Sequence, residues 1–110
     1  AALLEGVVAT PPLEADVTSS WAQYVIQLPQ GSNRGTICQS LANSGVPTAI
    51  YYPVPMHRQP PYAHYPVSAC DLPVTMDLCD HVLALPMHPY LEIAQQVHIA
   101  SSLKDALATA

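Results

Sequence analysis

Apolar positions fall into short blocks punctuated by proline and glycine, and each block has its own period. Ser20 to Leu28 (SWAQYVIQL) is dense in aromatic and β-branched side chains and predicts a strand. After a turn at Gly31 and Ser32, Ile37, Leu41 and Ala42 recur at helical spacing within Asn33 to Asn43, and Ser44-Gly45 closes that helix. Pro47 to Tyr52 (PTAIYY) predicts a second strand, halted by Pro53. Met76, Cys79 and Val82 mark a helix over Val74 to Val82 with Thr75 as its N-cap. Leu83 to Met87 (LALPM) predicts a third strand, placed at an edge because Pro86 removes a ladder donor. A final amphipathic helix over Leu91 to Leu107 aligns Ile93, Val97, Ala100, Leu103 and Leu107. At the start, Ala1 to Glu5 reads as the last turn of a helix stopped at Gly6, and a proline-punctuated connection follows from Val7 to Ala15.

This order predicts a single α+β domain over residues 1–110: an antiparallel or mixed sheet of about three strands, with helices packed on one face. Nothing in the chain obviously covers the other face. A long loop, 53–72, carries Pro53, Pro55, Pro60, Pro61 and Pro66 among His57, Tyr62, His64 and Tyr65. Loops of that length are usually functional or disordered, and the stiff prolines with interleaved aromatics favour an ordered one.

Composition sharpens this. Hydrophobic residues make up 50% of the chain and charged residues 10%, against roughly a quarter charged in ordinary domains. Either the domain buries an unusual share of its exterior, or it offers a low-charge face to something else. Its net charge is −5, with Arg34, Arg58 and Lys104 as the fixed cations, too few to neutralise a phosphate backbone, so no nucleic-acid role is expected. Cys38, Cys70 and Cys79 form no CxxC pair and are odd in number, which points to a reducing compartment, by default the cytoplasm. No apolar run approaches the ~20 residues of a membrane span, and Ala1 to Ala9 lacks the basic flank of a signal peptide. Cys79 and His81 stand two apart on a predicted helix and point to different faces, so no metal site is expected.

Three stretches carry a resemblance: Trp21 to Leu28 (WAQYVIQL), Gly45 to Tyr62 (GVPTAIYYPVPMHRQPPY) and Leu72 to Tyr90 (LPVTMDLCDHVLALPMHPY). In order and spacing they are similar to the C-terminal third of the DegT/DnrJ/StrS aminotransferases, which place amino groups on nucleotide-linked keto-sugars. The resemblance implies a fold-type I, pyridoxal-phosphate (PLP)-dependent enzyme built from a large cofactor-binding domain and a small C-terminal domain. It covers nearly the whole chain, yet the elements that would hold PLP belong to the large domain. A cofactor-bearing lysine is kept reactive by burial or by a neighbouring cation. Lys104, the only lysine, falls toward the polar side of the last predicted helix. No PLP binding or transamination is therefore expected of this chain alone. PLP is expected only with a large-domain partner.

The same resemblance implies a substrate-facing edge. Where family members commonly read His-Tyr-Pro, this chain reads Tyr51-Tyr52-Pro53. Tyr52 keeps the family residue, and Tyr51 replaces a histidine with a phenol that hydrogen-bonds but carries no charge near neutral pH. His57 and Gln59 match the family's P-x-H-x-Q-P and point the same way if that segment is extended. The competing reading has both tyrosines packing as strand-end aromatics, and His57 and Gln59 tying the loop to its own backbone. Arg58 is expected in solvent, His88 to order the turn before the last helix, and His64, His81 and His98 to be surface or half-buried residues. Two functions stay open: the C-terminal domain of a sugar aminotransferase, or a free-standing non-catalytic remnant that self-associates or binds a partner or small ligand.

Overall fold

A computed structural model describes residues 2–109. Two antiparallel strands form the sheet, β1 (Tyr24–Gln27) and β2 (Val82–Leu85), with Ile26 opposite Leu83 and Tyr24 opposite Leu85. Helix α1 (Arg34–Asn43) follows β1, α2 (Pro73–His81) leads directly into β2, and α3 (Ile93–Thr109) ends the fold. The chain is α+β, as its pattern predicted, with fewer strands.

Each departure in the sheet has a local cause. β1 begins four residues later than expected because Trp21 adopts φ +44°, which takes the chain out of extended geometry; its N–H donates to Ser19 Oγ at 3.1 Å instead. The Pro47–Tyr52 segment is not a strand. Only Ala49 pairs, exchanging both backbone hydrogen bonds with Ala84 at 3.2 and 2.8 Å, and prolines 47 and 53 lack the donors to extend the ladder. Ala9 makes a similar single bridge to Gln27 on the far side of β1. β2 therefore lies between β1 and the Ala49 bridge and is not an edge. Pro86 falls just beyond it, where its missing N–H removes no ladder bond.

Leu83 and Leu85 share a face with Ile26, and with Ile37 and Leu41 of α1 and Ala100, Leu103 and Ala106 of α3 they form the hydrophobic core. All four residues of β2 are buried, so the second face is closed at Val82 and Ala84 and opens only at β1, where Gln27 is exposed. The expectation of an uncovered face therefore fails at β2. The helical layer is α1 and α3. Of α2 only Cys79 is buried, and it stands outside the core cluster.

The helix ends show which signals were decisive. Asn33 caps α1, its Oδ1 accepting the Thr36 N–H at 3.1 Å, a contact worth about 1 kcal/mol. α2 starts at Pro73, whose fixed φ suits the first helical position, after Leu72 at φ +50°; Thr75 lies inside the helix and does not cap it. α3 starts at Ile93, two residues later than expected, after Glu92 N–H donates to Gln95 Oε1 at 2.9 Å. Its buried stripe is Ala100, Leu103 and Ala106, whereas Ile93 is 78% exposed and Val97 is also in solvent. Before the sheet, Ala2–Leu4 form one 3-10 turn, and Gly6 at φ +74° turns the chain away from it. No helix among the described residues is long and apolar enough to cross a membrane.

Candidate functional site

Tyr51 and Tyr52 stand where the chain leaves its single bridge to β2. The peptide bond between them is cis, and their rings meet edge to face with centroids 5.5 Å apart. Both are exposed, Tyr52 at 66%, so neither is a packed strand-end aromatic. Tyr51 also lines a shallow groove of about 280 Å³ beside Pro47, Ala84 and Met87.

Past Pro53 the chain is built from turns. Met56–Arg58 form a 3-10 turn behind the buried Pro55, so His57 and Gln59 do not extend from a common strand as expected. Gln59 Nε2 donates to the Val54 carbonyl at 3.1 Å, which fastens this side chain to its own loop. His57 is different. Its side chain is only 10% exposed, and Nε2 is shut away from solvent without a properly aligned hydrogen bond. The nearest charged atom is Asp71 Oδ1, at 3.4 Å.

Asp71 is the residue that sequence reasoning missed. Its other oxygen, Oδ2, accepts a hydrogen bond from the Arg58 guanidinium, so Arg58 is half-exposed yet engaged. Asp71 and Leu72 both sit in the left-handed region, at φ +54° and +50°. That conformation is unfavourable for a leucine, and aspartate tolerates it better. The Asp71 N–H donates to the Ser68 carbonyl at 2.9 Å, holding the turn that brings this carboxylate back to the start of the loop. No local motif announces a contact across thirteen residues.

The remaining histidines make local contacts. His88 Nδ1 accepts the Tyr90 N–H at 3.2 Å, ordering the turn before α3 as expected. His81 contacts Asp77 on α2, His98 Nε2 lies 2.9 Å from the Ser44 carbonyl oxygen, and His64 stacks on Tyr65 with ring centroids 4.4 Å apart. No three His, Cys, Asp or Glu side chains converge among the described residues. A larger apolar groove of about 540 Å³ lies elsewhere, lined by Leu13, Trp21, Tyr24, Met87, Leu91 and Ile99. The Tyr24 hydroxyl is buried without a hydrogen-bond partner among the described residues.

The residues present do not fit covalently held PLP. Lys104 is exposed on α3. The two arginines are engaged, Arg34 with the carbonyls of Cys79 and Val82 and Arg58 with Asp71.

Residues 2–104 match the model of the DegT/DnrJ/EryC1/StrS aminotransferase family. The UDP-2-acetamido-2-deoxy-3-oxo-D-glucuronate aminotransferase of Pseudomonas aeruginosa is 38% identical over 98 residues, which are 89% of this chain and 26% of that protein. The UDP-N-acetyl-3-dehydro-alpha-D-glucosamine 3-aminotransferase of Acidithiobacillus ferrooxidans is 38% identical over 77% of this chain and 22% of its own length. Among solved structures, a DegT DnrJ EryC1 StrS aminotransferase from Brucella abortus superposes with a TM-score of 0.87 at 40% identity, covering 96% of this chain and 28% of that one. The chain spans about a quarter of the length of these relatives and belongs to the DegT/DnrJ/EryC1/StrS aminotransferase family.

Proposed function

We propose that the chain is the C-terminal, substrate-facing part of an aminotransferase acting on a nucleotide-linked keto-sugar, and that a separate large domain supplies PLP and its lysine. The observation that carries this reading is the extent of the match: 89% and 77% of this chain align with only 26% and 22% of two enzymes named for UDP-sugar amination. The exposed position of Lys104 supports it. Tyr52 and His57, with Tyr51 and Gln59 beside them, would meet the sugar through hydroxyl, imidazole and amide groups, the donors and acceptors that recognise sugar hydroxyls. Gln59 must leave the Val54 carbonyl, or share its amide, to take part.

Mixing the chain with an equimolar amount of PLP should give no saturable visible absorbance band of bound cofactor. Titrating a UDP-N-acetylhexosamine into isotope-labelled chain should shift resonances of Tyr51, Tyr52, His57 and Gln59. A saturable band of bound cofactor, or shifts confined to the Trp21–Met87 groove, would overturn the reading.

A second reading is a free-standing, non-catalytic module that self-associates. The exposed apolar run Tyr90, Ile93 and Val97, with Tyr90 at 85%, favours it. Light scattering separates the two: a dimer without sugar-induced shifts supports the second reading, and a monomer sinks it.

A further inference from the structure

We infer that Asp71 is the positioning residue of the candidate site: it closes the 53–72 loop onto its own beginning and orients the His57 ring by accepting a hydrogen bond from its Nε2–H. The inference rests on the assignment of His57 to the substrate-facing edge. The carboxylate divides its two oxygens between neighbours in sequence, Oδ2 for Arg58 and Oδ1 for His57, whose Nε2 is 3.4 Å away. His57 Nε2 is sealed from water and has no aligned partner, so Asp71 is the acceptor within reach of that atom. A buried ring N–H without an acceptor is costly, and a carboxylate is the strongest acceptor a side chain offers.

The consequence is chemical. A ring that donates from Nε2 to Asp71 leaves Nδ1 as the atom able to accept a proton from a ligand hydroxyl. The paired left-handed residues explain why the carboxylate arrives here: at φ +54° and +50°, Asp71 and Leu72 reverse the chain immediately before α2, and the Asp71–Ser68 hydrogen bond fixes that reversal. Arg58 holds the loop shut on the same carboxylate without touching the ring nitrogen's oxygen.

Three variants of the full chain separate positioning from simple loop closure. In the wild type, ¹⁵N-edited NMR should show a slowly exchanging proton on His57 Nε2. Asp71→Ala should abolish that resonance, and backbone amides of 54–59 should exchange about fivefold faster, the size expected from losing one exposed ion pair. Arg58→Ala should speed the amides alike but keep the Nε2 proton, because its acceptor remains. Asp71→Asn, which keeps one acceptor oxygen, should retain the proton in part. An Nε2 proton unchanged in Asp71→Ala, or a wild-type ring protonated only at Nδ1, overturns the inference. None of these measurements needs a ligand. Failure of the UDP-sugar titration with the Asp71 result intact would therefore count against the sugar assignment and not against the positioning role.

Discussion

Leu83→Ala is expected to lower the unfolding free energy by about 3 kcal/mol and the melting temperature by about 10 °C. Leu83 has no exposed surface, lies opposite the equally buried Ile26, and sits in the strand flanked on both sides. Its neighbours in the core come from both strands and from α1 and α3, so the cavity left by alanine has backbone hydrogen bonds on either side and little freedom to collapse. A domain of this size is stable by about 5–15 kcal/mol in all, so the loss removes a large share. Urea denaturation followed by circular dichroism measures it. Leu83→Met, which conserves volume, should cost less than about 1.5 kcal/mol. Equal losses for the two variants would mean that the core packing described above is wrong.

Arg34→Ala is expected to cost about 2 kcal/mol, from leaving partly buried acceptors without a charged donor. Its guanidinium donates to the carbonyls of Cys79 at 2.5 Å and Val82 at 3.2 Å, bridging the last turn of α2 to the first residue of β2. A cation there also suits the negative end of the helix dipole. Hydrogen exchange distinguishes this from general loosening. The Leu28 N–H, which donates to the His81 carbonyl at 2.8 Å, and the amides of α2 should lose protection before those of α1 and α3. Arg34→Lys keeps the charge on a different stem and should recover only part of the loss. A uniform loss of protection over all three helices would contradict the clamp.

These two residues also show what the sequence made legible. The helical period that placed Ile37 and Leu41 in α1 and Leu103 in α3 is a local property, and the core confirms it. The same period put Ile93 and Val97 on the buried face, but both side chains meet solvent because no other element packs over them. Propensity cannot report where a neighbouring element stops. The Pro47–Tyr52 strand failed for a related reason: Ile50 and the two tyrosines favour extended backbone, while pairing is decided by partners far away in sequence, such as Ala84 for Ala49. At the candidate site the motif pointed to Tyr51, Tyr52, His57 and Gln59. It could not reveal Asp71, because that residue reaches His57 through two left-handed residues that neither proline nor glycine announces. Pro73 at the first position of α2 was a readable signal, and it outweighed Thr75.

The engagement of both arginines has a consequence for how an anionic ligand would arrive. Arg34 is turned toward its own helix end and Arg58 toward Asp71, which leaves Lys104, in a chain of net charge −5, as the cation without such a role. A nucleotide sugar carries its negative charge on the diphosphate, so under the proposed function the long-range field of this chain would repel the molecule whose sugar its tyrosines and imidazole would recognise. Under the proposed function, attraction and recognition would then reside on different bodies: the large domain would supply the cations that draw in and neutralise the diphosphate, and this chain would read the sugar after that capture.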